Sequence, residues 1–226
     1  MKIVEPYAKI ADIKLIPFSV EDGINMLKRI EHYGRVSHRS EEAQDANHQE
    51  TYGRFIRSVV LGHGDLSIIE HESVTVEMVV DRGITHEIVR HRIGSYTQES
   101  TRFVNYDKPE HEPTFIKPLG MTDSQTRHWT HAIGDASEYY KYMLQAGAAP
   151  QIARSVLPNA LASKIIVTYN LRSWRHFFIM RTSREAHPQM KQVTIPLLKE
   201  FQEKIPILFE DIVPEMKQSE AMRLLR

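Results

Sequence analysis

The sequence predicts an α+β fold in a single domain spanning residues 1–226, with a central, mostly antiparallel sheet flanked by helices. Three observations predict it. Segments with a period of two alternate with segments carrying helical apolar stripes. The length of 226 residues suits one full hydrophobic core. No repeat, low-complexity tract or compositional break marks a linker, so one domain is the simplest reading.

The elements follow in order. Met1 to Pro17 reads as two short strands broken near Tyr7, around Lys2-Ile3-Val4 and Ile13-Lys14-Leu15-Ile16. Ser19 precedes Val20-Glu21-Asp22 as a helix cap, and Ile24, Met26, Leu27 and Ile30 form that helix's stripe. Glu41 to Leu61 reads as a second helix stopped by Gly62 and Gly64. His71 to Asp81 places Val74, Val76 and Met78 on one face of a strand. Gly83 to Arg92 is a short helical pattern, and Ser95 to Tyr106 a loop running into a strand. Three prolines make Lys108 to Met121 a connector holding a short strand at most. Asp123 to Gln145 is a long helix. Pro150 to Leu157 is a short one, with its proline in the first turn. Ile165 to Leu171 is a β-branched strand. Ser173 to Thr182 and Val193 to Phe209 complete the set as helices.

Composition excludes several classes. The 29 basic and 29 acidic residues cancel, which argues against nucleic-acid binding by bulk charge. The chain has no cysteine, so disulfides, Cys-ligated zinc, iron–sulfur clusters and thiolate nucleophiles are all out. No run approaches the roughly 18 apolar residues of a membrane span. The N-terminus lacks the apolar core of a signal peptide, so the expected location is cytoplasmic.

Chemistry concentrates in four stretches: HGDLSIIEH from His63, THEIVRHRIGSYTQESTR from Thr85, ARSVLP from Ala153 and NLRSWRHFFIMRTSREAHPQ from Asn170. The second invites a zinc reading, but the position four after His86 is Arg90, and His91 falls about 100° further round a helix. No metal is therefore expected. Arg90, His91, Arg92 and Arg102 instead stand among Ser95, Thr97, Gln98, Ser100 and Thr101. Guanidinium forks and hydroxyls suit phosphate oxygens. The plainer alternative is a solvated basic turn paired with Glu87 and Glu99.

In the fourth stretch Trp174, Phe177, Phe178 and Arg181 share a helix face. An arginine on an aromatic face is either a ligand-binding cation, a buried ion pair, or a packed stem with a solvated head. Arg154, in apolar company, has the same readings. Glu70-His71 reads as a cap or a core polar pair. Neither a glycine-rich phosphate loop nor a G-x-S-x-G elbow occurs.

Arg90-His91-Arg92 followed by seven residues and Ser100 resembles the R-H-R-x7-S signature of flavin-dependent thymidylate synthases. Ser67-x-x-Glu70-His71, Ala153-Arg154-x-Val156-Leu157-Pro158, and Asn170-x-Arg172-Ser173 followed by Arg181 resemble the family's other motifs in order and spacing. The likeness covers roughly residues 62–189.

The resemblance implies a homotetramer of the thymidylate synthase-complementing fold, with active sites shared between subunits. It implies synthesis of dTMP from dUMP for dTTP biosynthesis. Methylenetetrahydrofolate is the implied one-carbon donor and NADPH-reduced FAD the implied hydride source.

Position by position, it implies FAD contacts at Ser67, Arg90, His91, Arg92, Asn170, Arg172 and His176. It implies dUMP contacts at Glu87, Ile88, Val89, Arg90, Gln98, Glu99, Ser100, Thr101, Arg102, Arg154 and Arg181. Arg181 is the implied catalytic residue, a fixed cation favouring ionisation of uracil N3. Thr97 and Gln98 stand where many members carry asparagine and glutamate, and Glu87 where some carry glutamine. The stretch 62–66 is two residues longer than the commoner form. The better-known thymidylate synthases use a cysteine thiolate, which this chain lacks. The rival readings are a zinc-dependent hydrolase and a non-catalytic nucleotide- or RNA-binding module.

Overall fold

The computed structural model describes residues 1–11, 18–44 and 51–215. Four strands form the main sheet: β2 (Tyr7–Ile10), β3 (Ser73–Asp81), β6 (Ala162–Asn170) and β4 (Ser95–Gln98), in the order β2-β3-β6-β4. Every neighbouring pair is antiparallel, as the sequence predicts. A separate two-stranded sheet pairs β1 (Lys2–Val4) in parallel with β5 (Thr114–Ile116).

The long central ladder runs from Ser73↔Asn170 to Asp81↔Ala162. Val74, Val76, Met78 and Val80 of β3 face the core together with Ile165, Val167 and Tyr169 of β6. On the other face the hydroxyls of Thr75 and Thr168 pair at 2.8 Å. Alternation of this kind buries one sheet face and leaves the other for polar pairs.

The helices are α1 (Val20–Val36), α2 (Thr51–Phe55), α3 (Arg82–Ile88), α4 (Asp123–Gln145), α5 (Pro150–Ala153), α6 (Leu171–Arg181) and α7 (Pro188–Lys204). Ser19 caps α1 in a reciprocal box with Asp22. Trp174 and Phe178 of α6 pack against Phe201 of α7 in tilted and edge-on contacts, Phe177 packs edge-on against both, and all three are fully buried. Among the described residues, no helix is long and apolar enough to cross a membrane.

Several boundaries differ from expectation. The strand expected at Ile13–Ile16 lies outside the described residues, and β2 begins at Tyr7, where a break was expected. The helix expected from Glu41 to Leu61 is a 3-10 turn at Glu41–Ala43, then α2, then a π-helical stretch at Ile56–Gly62; 45–50 lie outside the description. Ser95 to Tyr106 has the opposite order, strand first and turn second, because β4 pairs with β6 through Ser95↔Thr168 to Gln98↔Ile165. The helix expected from Val193 to Phe209 starts at Pro188, where proline needs no N–H partner, and ends before Pro206. The Gly83–Arg92 helix stops at Ile88, and Arg154 to Val156 continue α5 only as a 3-10 turn. Leu171 opens α6 rather than ending β6, because Asn170 caps the helix there.

Candidate functional site

Two helices leave opposite ends of the β3–β6 ladder, and their C-terminal ends meet. Asp81 caps α3 by accepting from the Ile84 N–H at 2.8 Å. Asn170 caps α6 by accepting from the Ser173 N–H at 2.8 Å. Glu87 at the end of α3 then faces Arg181 at the end of α6. Arg181 Nη1 donates to Glu87 Oε2 at 2.5 Å, and Nη2 to the Glu87 carbonyl at 3.2 Å. The guanidinium thereby satisfies one of the orphan carbonyls at a helix C-terminus. Its Nε donates to His91 Nε2 at 2.8 Å. The Arg181 side chain is 19% exposed and that of Glu87 34%. The ion-pair reading of Arg181 is the geometry observed, and the pair remains open to solvent on one side. A cavity of about 420 Å³ opens there, walled by Glu87, Arg181 and residues 184–188.

His91 is wedged edge-on against Phe177, with ring centroids 5.0 Å apart, and lies beside His176. Burial, then the charges of Arg181 and His176, lower its pKa from 6.5 to about 4. A neutral imidazole is what Nε2 needs to accept from Arg181. The turn behind it is held by two phenols. Tyr96 donates to the His91 carbonyl, while the single proton of the Tyr169 hydroxyl is shared between the Tyr96 oxygen at 2.9 Å and the Ile88 carbonyl at 3.1 Å. Burial raises both phenol pKa values, so neither ionises near neutrality. Gly94 is required here, since a Cβ would lie 2.1 Å from Tyr169 Cε1.

The other expected dUMP residues form a second cluster at the turn after β4. Gln98 Nε2 donates to Thr85 Oγ1 at 3.0 Å and Ser163 Oγ at 3.1 Å. The Glu99 carboxylate accepts from Tyr106 at 2.6 Å. Thr101 is buried and accepts from Arg154 Nη1 at 3.0 Å. Arg102 donates to Gln151 at 3.1 Å, and its backbone N–H donates to Ser100 Oγ at 3.3 Å. Arg154 is thus an exposed residue steering a turn, not the apolar-set arginine its neighbours suggested. Among the described residues, no hydrogen bond or ion pair joins this turn to Arg181.

A third group lies at the start of α6. Arg172 donates to Glu70 at 2.6 Å, both exposed, with Ser67 nearby in the turn before β3. Glu70-His71 is therefore not a core polar pair: His71 is exposed and packs against Tyr33. The buried member is Glu72, held by Arg29 at 2.7 Å through both oxygens.

Arg90 and Arg92 are exposed, and neither makes a side-chain hydrogen bond or ion pair among the described residues, though the Arg92 charge reaches the Tyr96 phenol. Ile88 is fully buried and Val89 half-buried, so the Ile88 side chain belongs to the core.

Some basic residues in and just after the fourth stretch are structural. Arg175 is bound to Asp211, and the fully buried Lys191 donates to the Arg184 carbonyl at 2.9 Å. Sequence reasoning missed Tyr169, whose place was legible from its alternation with Ile165 and Val167. It also missed Gln189, whose amide takes both the Asp81 N–H (3.0 Å) and the Asp81 carboxylate (2.7 Å). Among the described residues, no group of three or more His, Asp or Glu side chains gathers as metal ligands would.

Fold and site define a class of protein: an α+β scaffold that fixes a half-buried guanidinium where the C-terminal ends of two helices meet, with two exposed arginines on the turn beside it. A family model described as "Thymidylate synthase complementing protein" matches residues 21–207, and the chain belongs to that family. It is 37% identical over 145 residues to a flavin-dependent thymidylate synthase of Pyrococcus abyssi, covering 63% of this chain and 59% of that protein. It is 31% identical over 216 residues to one of Mycolicibacterium vanbaalenii, covering 87% and 83%. The match thus spans about three fifths of the Pyrococcus relative and over four fifths of the mycobacterial one.

The fold is similar to that of the UMP/dUMP methylase PolB from Streptomyces cacaoi, solved with 5-Br dUMP. There the TM-score is 0.73 at 24% identity, over 93% of this chain and 96% of that one. It is also similar to the flavin-dependent thymidylate synthase of Helicobacter pylori, solved with FAD and dUMP. The TM-score is 0.71 at 18% identity, over 92% and 99% of the two chains.

Proposed function

We propose that this chain, read as one domain over residues 1–226, is a flavin-dependent thymidylate synthase. It converts dUMP to dTMP with methylenetetrahydrofolate as one-carbon donor, in the cytoplasm. The observation that carries the reading is Arg181, a half-buried guanidinium held by Glu87 and a neutral His91, in a member of the thymidylate synthase complementing family.

The residues fit FAD. Arg90 and Arg92 are exposed and make no side-chain hydrogen bond or ion pair among the described residues, which suits a diphosphate, and His176 lies exposed beside His91, which suits a flat heterocycle. FAD bound there and reduced by NADPH supplies the hydride. Arg181 supplies fixed positive charge where uracil N3 ionises; a preorganised cation in a partly dry site does not reorganise as charge develops. Ser100, Arg102 and Arg154 hold the phosphate, supported by Gln98, Glu99 and Thr101. With no cysteine in the chain, no thiolate attacks the pyrimidine.

Among the described residues no hydrogen bond or ion pair joins the Ser100–Arg102 turn to Arg181 within one chain, which supports a homotetramer in which a second copy completes each site. Ile93 (86% exposed) and Phe103 (78% exposed) flank the two arginine-bearing turns, and large apolar side chains in such positions suit burial in an assembly.

The test is tritium release from C5-labelled dUMP with NADPH, FAD and methylenetetrahydrofolate. Arg181→Ala abolishes release while leaving flavin content intact. A protein that neither binds FAD nor releases tritium refutes the reading.

A further inference from the structure

The proposed chemistry needs the Arg181 guanidinium in one place, yet α6 ends at that residue. The backbone beyond it is secured by the chain's C-terminal stretch. The Thr182 carbonyl accepts from the Glu215 N–H at 2.8 Å, and the Arg184 N–H donates to Glu215 Oε2 at 3.2 Å. Two bonds from α7 act on the same turn. The Thr194 hydroxyl shares its proton between the Arg181 carbonyl at 3.0 Å and the Met190 carbonyl at 2.9 Å, and Lys191 Nζ donates to the Arg184 carbonyl at 2.9 Å.

The same stretch also grips α6 upstream of Arg181. Arg175 makes parallel bonds to both Asp211 oxygens (2.7 and 2.6 Å) and donates to the Leu208 carbonyl. Asp211 is held below the usual carboxylate range chiefly by its Arg175 hydrogen bonds, so the clamp stays charged through neutrality. Ile212, between the two anchor points, is buried. Residues 208–215 therefore touch α6 six residues before Arg181 and the turn directly after it. That turn is also a wall of the cavity beside the Arg181–Glu87 pair.

We propose that Glu215 is a positioning residue for Arg181, acting through the 182–186 turn. This rests on the reading above that Arg181 is the reactive cation. A long, flexible arginine side chain keeps one orientation only if its backbone and its partners are both fixed. Glu87 and His91 fix the head; the Glu215 carboxylate closes the turn that fixes the base. Removing the carboxylate leaves the Arg184 N–H without its partner. The turn then moves against Glu87 and His91, and fewer molecules hold the guanidinium in register.

The test uses the full chain as flavoenzyme, with Glu215→Ala and Glu215→Gln. The alanine variant lowers kcat by about fivefold, as expected for one net hydrogen bond, with FAD content and the KM for dUMP unchanged. The glutamine variant restores kcat, because its amide oxygen accepts the same N–H. A second readout needs no turnover: phenylglyoxal modification of Arg181, followed by peptide mapping, is severalfold faster in Glu215→Ala than in the parent or in Glu215→Gln. Unchanged kcat and unchanged modification in the alanine variant overturn the proposal, as does equal loss in both variants. If the parent releases no tritium from dUMP, the functional reading fails, while the modification rates still decide whether Glu215 positions Arg181.

Discussion

His91 resists protonation, and the effect can be sized. Its Nε2 accepts from Arg181 and its ring packs against Phe177; burial, then the charges of Arg181 and His176, bring its pKa from 6.5 to about 4. In the unfolded chain a histidine titrates near 6.5. Between these values the unfolded state binds a proton that the folded state refuses. Stability from neutral His91 is therefore complete above about pH 6.5 and is lost as pH falls toward about 4. A ring wholly cut off from water would make that gap about 3 kcal/mol; partial exposure reduces it to about 1–2 kcal/mol.

The perturbation is His91→Gln, which removes the titrating group and keeps an oxygen to accept from Arg181. Urea unfolding of both proteins at about pH 7.5 and about pH 4.5 gives four free energies. The stability of the parent relative to the variant falls by about 1–2 kcal/mol between the two pH values. A proton NMR titration of the His91 ring reads the same shift directly, with a midpoint well below 6.5. A midpoint at the free value of about 6.5, or a stability difference that ignores pH, refutes the account of the pocket.

Two further outcomes follow from packing. Gly94→Ala places a methyl 2.1 Å from Tyr169 Cε1, where the phenol is fixed at its hydroxyl. It costs about 2–3 kcal/mol in chemical denaturation, whereas Gly134→Ala, in open space on α4, stabilises by about 0.5–1 kcal/mol. Gln189→Leu strips Asp81 of an acceptor and a donor and lowers stability by about 2–3 kcal/mol. Because Asp81 caps α3, whose last turn carries Glu87, the proposed function predicts that the same variant weakens dUMP binding in a direct titration.

The β3–β6 ladder and the helices α1 and α4 were legible because their signals are local. Nine-residue alternation in β3, the Ser19 box and the Trp174-Phe177-Phe178 face each depend on residues a few positions apart. The R-H-R-x7-S run was legible for the same reason, since the chemistry of its side chains is written in one stretch. The illegible boundaries were those set by long-range partners. β4 begins at Ser95 because β6 offers Thr168 across the ladder, and no feature within 95–106 announces that.

By itself, then, the sequence determined the fold class, the set of arginines from which a site is drawn, and, through its missing cysteine, the exclusion of thiolate chemistry. It could not sort those arginines. The tertiary structure did, because the role of a guanidinium depends on which acceptor reaches it. Arg175 meets Asp211 and Arg172 meets Glu70, each a partner distant in sequence. Arg181 meets Glu87 and His91 only because two helices from opposite ends of one ladder bring their C-termini together.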